Sequence, residues 1–189
     1  MGGHSYADKP IRKPLLYDPE APLGSRWTDK GLNESPIERM YHSAATLLPD
    51  GSVFVSGSNP NPDTVLPGPG LYATEYAVER WYPEYYSSRR PEPKGLPNSI
   101  GYGGAPFQFT LSSQDLSGNA ALAKTVKVVV IRTGFSTHAI NMGQRHVQLD
   151  SSYQVDKNGN AVIYAAGLRG PTILAPGPAR QSLLHLITA

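Results

Sequence analysis

Apolar positions along this chain recur mainly with period two. No stretch of twelve residues keeps a helical stripe, so the pattern predicts strands joined by turns. The clearest signal lies at 44–55: Ala44 to Leu48 reads as one strand, Pro49-Asp50-Gly51 as a turn, and Val53-Phe54-Val55 as the return strand. Proline presets φ, aspartate bonds its own backbone and glycine takes positive φ, which makes the triplet a hairpin signal with a mechanism. A further strand is predicted at 74–82, where Tyr76, Val78, Arg80 and Tyr82 alternate with Ala77, Glu79 and Trp81 before Pro83 stops it. Later strands are predicted at 106–111, 125–132, 145–149 and 161–165, the last following an Asp156-Lys157-Asn158-Gly159 turn. Val126 to Ile131 is nearly continuous in apolar residues, as a strand covered on both faces would be. Leu15-Leu16-Tyr17 is a short extended piece closed by Asp18-Pro19.

Composition supports this picture. The chain holds 19 Gly and 18 Pro in 189 residues, well above their usual combined share of about 12%. Both interrupt helices. The punctuation is concentrated at 58–70, with four prolines, and at 83–106, which reads as a domain junction. The second half is long enough for a small β-sandwich. The strands of the first half cannot bury a core alone, so that half reads as part of something larger, such as one blade of a repeat architecture.

Charge and cysteine content narrow the function. With 17 basic and 15 acidic residues the net charge is +2, and no dense Lys/Arg run is present, so a nucleic-acid partner is not expected. The longest apolar runs are too short to cross a membrane, so none is expected as a partner. There is no cysteine, hence no disulfide and no thiolate metal site within these residues. Met1 to Ser5 shows no basic region followed by an apolar core, so no secretory signal is expected in this stretch. Asn33-Glu34-Ser35 is a glycosylation sequon, a triplet common by chance.

Two of the five histidines have informative neighbours. His42 follows Tyr41 where the chain enters the 44–55 hairpin, and His138 sits in Gly134-Phe135-Ser136-Thr137-His138, read as a loop after the buried strand. Loop positions at strand ends often carry functional groups. Spacing alone favours a plainer reading, in which each histidine bonds a backbone carbonyl. Tyr41 and His42 are adjacent and would face opposite sides of a regular strand, so both reach one metal only if the backbone twists between them. His146 alternates with Gln148 and Asp150 and reads as part of a solvated face; Arg132 and Arg145 carry no assigned role.

The wording of four segments adds weight. The runs RMYHSAATLLPDGSVFVSGSNPNPD and VVVIRTGFSTHAINMGQRHVQLD resemble the last propeller blade and the copper-binding segment of the copper radical oxidases, the glyoxal oxidase and galactose oxidase family. SYADKPIRKPLLYDPEAPLGSRW and TEYAVERWYPEYYSSRRPEPKGLP resemble its glyoxal oxidase branch. The resemblance implies an all-β chain: a partial β-propeller blade over 1–85, then an immunoglobulin-like, early-set β-sandwich over 86–189. A finger of that sandwich reaches the propeller channel in the family. It further implies copper held by Tyr41 as axial ligand, with His42 and His138, and Tyr41 as proton acceptor from the substrate carbon. Imidazole and phenolate donors suit Cu(II).

The parent enzyme implied is a monomer acting on a small aldehyde or alcohol with O₂ as acceptor, and it is extracellular. The family's radical cofactor is a tyrosine crosslinked to a cysteine, which cannot form from a chain without Cys. The 189 residues alone are therefore expected to be inactive. From Arg180 onward the tail departs from the family, so the last strand is expected to be missing or replaced and its sheet edge open. A different reading is a non-catalytic sandwich binding glycan or a partner chain through Trp81, Tyr85 and Tyr86.

Overall fold

The computed structural model describes residues 2–3, 6–137, 140–176 and 182–187. The fold is all-β, with two short 3-10 turns at Glu84–Ser87 and Ala120–Thr125. Among the described residues no helix is long and apolar enough to cross a membrane. The chain divides into two compact units: Met1–Tyr86 together with Phe135–Met142, and Ser87–Gly134 together with Gly143–Ala189.

The first unit opens with two-residue strands: β1 (Gly2–Gly3) pairs with β2 (Tyr6–Ala7), and β3 (Leu16–Tyr17) with β4 (Trp27–Thr28). Its main sheet is an antiparallel meander of β5 (Ala44–Leu47), β6 (Val53–Ser56) and β7 (Glu79–Trp81). The predicted hairpin is present: Ala44 pairs with Ser56, and Leu47 with Val53. At its tip Gly51 adopts φ +83°, and Asp50 accepts from the amide of Ser52 at 3.0 Å and from its hydroxyl at 2.6 Å. The strand expected over 74–82 is shorter, because loops and side chains capture the backbone before Glu79. Thr74 N–H donates to Val65 O, Glu75 N–H to Ser58 O and Ala77 N–H to the Glu75 carboxylate.

Residues 135–142 also differ from expectation. In place of a loop they form a hairpin of β10 (Phe135–Thr137) and β11 (Ile140–Met142), which belongs to the first unit. The Asn141 amide donates to the Ala45 carbonyl on β5 at 3.1 Å.

The second unit is a two-sheet sandwich. One sheet joins β8 (Phe107–Leu111), β13 (Ser151–Val155) and β14 (Ala161–Ala165) in the order β13-β14-β8. The other joins β9 (Lys127–Arg132), β12 (Arg145–Leu149) and β15 (Ser182–Ile187) in the order β12-β9-β15. Alternation sends Phe109, Leu111, Ala161, Ile163 and Ala165 inward from the first sheet, to meet Val128, Val130 and Leu149. Val129, on the opposite face of β9, is also fully buried, as the continuous apolar run predicts. β13 escaped the sequence reading because all five of its residues are exposed. The divergent tail supplies a replaced strand, not a missing one, since Ser182–Ile187 pairs with Lys127–Arg132 and occupies the edge expected to be open.

Polar contacts pin the start of this unit. The Asp115 carboxylate, almost wholly buried, accepts from Arg89, from the Glu92 amide and from the amide and hydroxyl of Ser112. Burial pushes its pKa up, but these donors, led by the Ser112 hydroxyl, hold it well below the usual carboxylate range.

Candidate metal centre

The chain reaches Tyr41 and His42 through a tight turn. Both the amide and the hydroxyl of Ser43 donate to Met40 O, at 3.1 and 2.7 Å. His42 sits at φ +63°, the left-handed region that non-glycine residues seldom occupy. Such a conformation costs on the order of 1–3 kcal/mol and persists only where surrounding contacts over-determine it. The twist supplies what a regular strand cannot. The Tyr41 and His42 rings stack, with centroids 4.0 Å apart and planes inclined by 29°.

Neighbouring loop residues hold this geometry. Asn59 N–H donates to Tyr41 O at 2.8 Å, and Asn59 O lies 3.1 Å from His42 Nδ1. A carbonyl only accepts, so Nδ1 carries the proton and the Nε2 lone pair of the neutral ring is left for another partner. Gly57, at φ +76°, packs against the same backbone, and a Cβ there would lie 2.8 Å from His42 O. Both rings are exposed, Tyr41 to 39%.

His42 lines an open surface pocket of about 410 Å³ with Ala44, Thr46, Phe54, Ser56, Ser136 and Thr137. Four of these side chains carry hydroxyls. Ser136 and Thr137 come from β10, immediately before His138, which itself lies outside the described residues. Among the described residues no three His, Asp or Glu side chains converge on one point. Tyr41 and His42 are thus brought together, and the described residues adjoining His138 line the same pocket as His42.

The donor chemistry fits copper. A phenol and an imidazole with its Nε2 lone pair available are stacked, and the imidazole is oriented by a carbonyl at its other nitrogen, as metal-bound histidines commonly are. Sequence reasoning missed Asn59 and Gly57, which contact the pair from elsewhere in the chain. His146 is exposed, as expected, and Arg132 pairs in register with Arg145 across β9 and β12.

Comparison with known proteins gives the same class. A family model described as glyoxal oxidase N-terminus matches residues 1–85, and one described as galactose oxidase-like, early set domain matches residues 90–185. The chain belongs to the glyoxal oxidase and galactose oxidase family of copper radical oxidases. Among its relatives, aldehyde oxidase GLOX of Vitis pseudoreticulata is 33% identical over 180 residues, covering 93% of this chain and 32% of that protein. Aldehyde oxidase GLOX1 of Arabidopsis thaliana is 35% identical over 153 residues, covering 78% of this chain and 24% of that protein. The fold is similar to that of a fungal alcohol oxidase of the AA5 family solved in complex with copper, with TM-score 0.65 and 21% identity over 98% of this chain and 38% of that one. The chain thus spans about a third or less of the length of these curated relatives.

Proposed function

We propose that these residues form the copper-binding C-terminal portion of an extracellular oxidase that converts small aldehydes to carboxylic acids while reducing O₂ to H₂O₂. The observation that carries this reading is the twist at His42, which sets a phenol beside an imidazole whose Nδ1 is already engaged. Tyr41, His42 and His138 would hold the metal. Copper, when bound, supplies a Lewis-acid and one-electron redox centre. The phenolic oxygen of Tyr41 accepts the proton from the substrate carbon, and the hydroxyl-lined pocket beside His42 orients a small polar substrate. On this reading residues 1–85 are a remnant of the last blade or blades of a propeller, and residues 86–189 are the immunoglobulin-like sandwich, whose finger, Phe135–Met142, folds with the first unit.

Because the 189 residues contain no cysteine, the crosslinked tyrosine–cysteine radical is not made from them, and the chain as it stands is expected to bind copper without turnover. The test loads the purified chain with Cu(II), records its electron paramagnetic resonance spectrum, and assays peroxide release with methylglyoxal. A mixed nitrogen and oxygen spectrum lost in His42→Ala, with no peroxide, is expected. Peroxide at the rate of a complete oxidase would overturn the claim of inactivity, and a spectrum unchanged in His42→Ala would overturn the ligand assignment.

The glycan-binding reading gains nothing from the geometry. Trp81, Tyr85 and Tyr86 all belong to the first unit and not to the sandwich. Trp81 lines an apolar cleft there, and the Tyr86 hydroxyl is bound to Asp50 at 2.8 Å.

A further inference from the structure

Arg39 stands three residues before His42 and bonds neither ring. Its guanidinium reaches across the first unit instead. Nε donates to Glu79 at 2.8 Å, while Nη1 donates to Ala77 O at 2.9 Å and also to Gly57 O. Glu79 is held in turn by the Ser35 hydroxyl at 2.7 Å. The side chain is only 11% exposed, and its Nη2 is buried without a partner. An unsatisfied buried donor is a cost, which offsets part of what the ion pair and the two carbonyl bonds contribute.

The contacts trace a short path to the pair. Arg39 fixes the carbonyl of Gly57, Gly57 packs without a side chain against His42 O, and Asn59, two residues on, bonds Tyr41 O and His42 Nδ1. We propose that Arg39 is a positioning residue. By fixing the Gly57–Asn59 segment it keeps His42 in its left-handed conformation, with Nδ1–H on Asn59 O and Nε2 directed away. A lysine cannot take over this role, because a single ammonium lacks the planar fork that spans three acceptors.

This inference rests on the copper reading only for its consequence, and the experiment separates the two. Long-range ¹H–¹⁵N spectra of the metal-free full chain report which nitrogen of neutral His42 carries the proton. The wild type is expected to show the Nδ1–H form, and Arg39→Gln and Arg39→Lys to lose it as the main form. Arg89→Gln, which loosens the Asp115 network in the second unit, controls for general destabilisation and is expected to retain it. A wild-type His42 pattern in Arg39→Lys would overturn the proposal, as would an equal loss in Arg89→Gln. If Arg39→Gln fails to fold, Arg39→Lys, which keeps charge and bulk, decides alone. Copper affinity, measured by competition titration, is expected to weaken about 10- to 100-fold in Arg39→Lys, the usual effect of losing a group that orients a ligand. Loss of the Nδ1–H form in a chain that binds no copper would support the positioning role and sink the metal assignment instead.

Discussion

The two units solve the problem of cohesion in opposite ways. The second closes a hydrophobic core in which Leu111, Leu116, Ala161 and Ile163 are almost wholly excluded from water. Among the described residues of the first, the fully buried side chains are Ser52 and Pro60, and the unit is laced by polar pairs: Arg39 with Glu79 and Arg80 with Asp50 at the sheet, Arg12 with Glu38 and Lys13 with Asp29 outside it. Its apolar face, with Ala45, Val53, Val55 and Trp81, borders an open cleft of about 530 Å³. The candidate donors at Tyr41 and His42 sit in the unit held by directional bonds. Such bonds fix orientation well, whereas burial supplies most of the net stability.

The contrast can be broken first in the core. Ile163→Ala is expected to cost about 2–5 kcal/mol, read by chemical denaturation, because the cavity left between the sheets cannot collapse fully. An effect below about 1 kcal/mol would contradict a closed sandwich core. Next comes Gly57→Ala, which meets both a positive φ and the His42 carbonyl. A loss of more than about 1 kcal/mol is expected, with the shift in amide resonances concentrated at residues 41–43 and 57–59.

A smaller effect comes from acid. The hydroxyl and amide of Ser52, then Tyr86 and Arg80, hold the Asp50 pKa down at about 2, from an ordinary value of 3.8. A depressed carboxylate contributes stability above its unfolded pKa and loses that contribution as pH falls through the folded value. The Ser52 amide resonance is therefore expected to titrate with a midpoint near pH 2, and a midpoint near 3.8 would show that the turn does not hold the carboxylate. Smallest of all is Glu38→Gln. The Arg12–Glu38 pair is roughly half exposed on both sides, and less than about 1 kcal/mol is expected in a thermal melt.

What the sequence made legible cuts across this division. The Pro49-Asp50-Gly51 hairpin and the alternation at 107–111 and 161–165 rest on local rules, and the structure contains them. Uninterrupted burial along Val128-Val129-Val130 was visible as well. The 74–78 segment misled because its alternation is genuine while its backbone partners, Val65 and Ser58, lie in a proline-rich loop with no pattern of its own. β13 was invisible because none of its side chains is buried. At the site, spacing alone never singled out Tyr41 and His42; the family wording did. The twist that joins them depends on Gly57 and Asn59, more than a dozen residues along the chain, and no local signal encodes that contact.

The hairpin Phe135–Met142 leaves and rejoins the sandwich strands through Gly134 and Gly143, both at positive φ, yet folds with the first unit. Its bond from Asn141 to Ala45 spans 96 residues. Closing a loop of that length costs on the order of 4 kcal/mol in chain entropy, against about 2 kcal/mol for the 44–56 hairpin. In time, then, the two sides of the pocket are unequal. The Tyr41–His42 turn has its partners within about twenty residues, whereas the segment leading to His138 must wait for a long-range closure. On the proposed ligand set, bringing the segment before His138 beside His42 is thus the closure that costs more chain entropy.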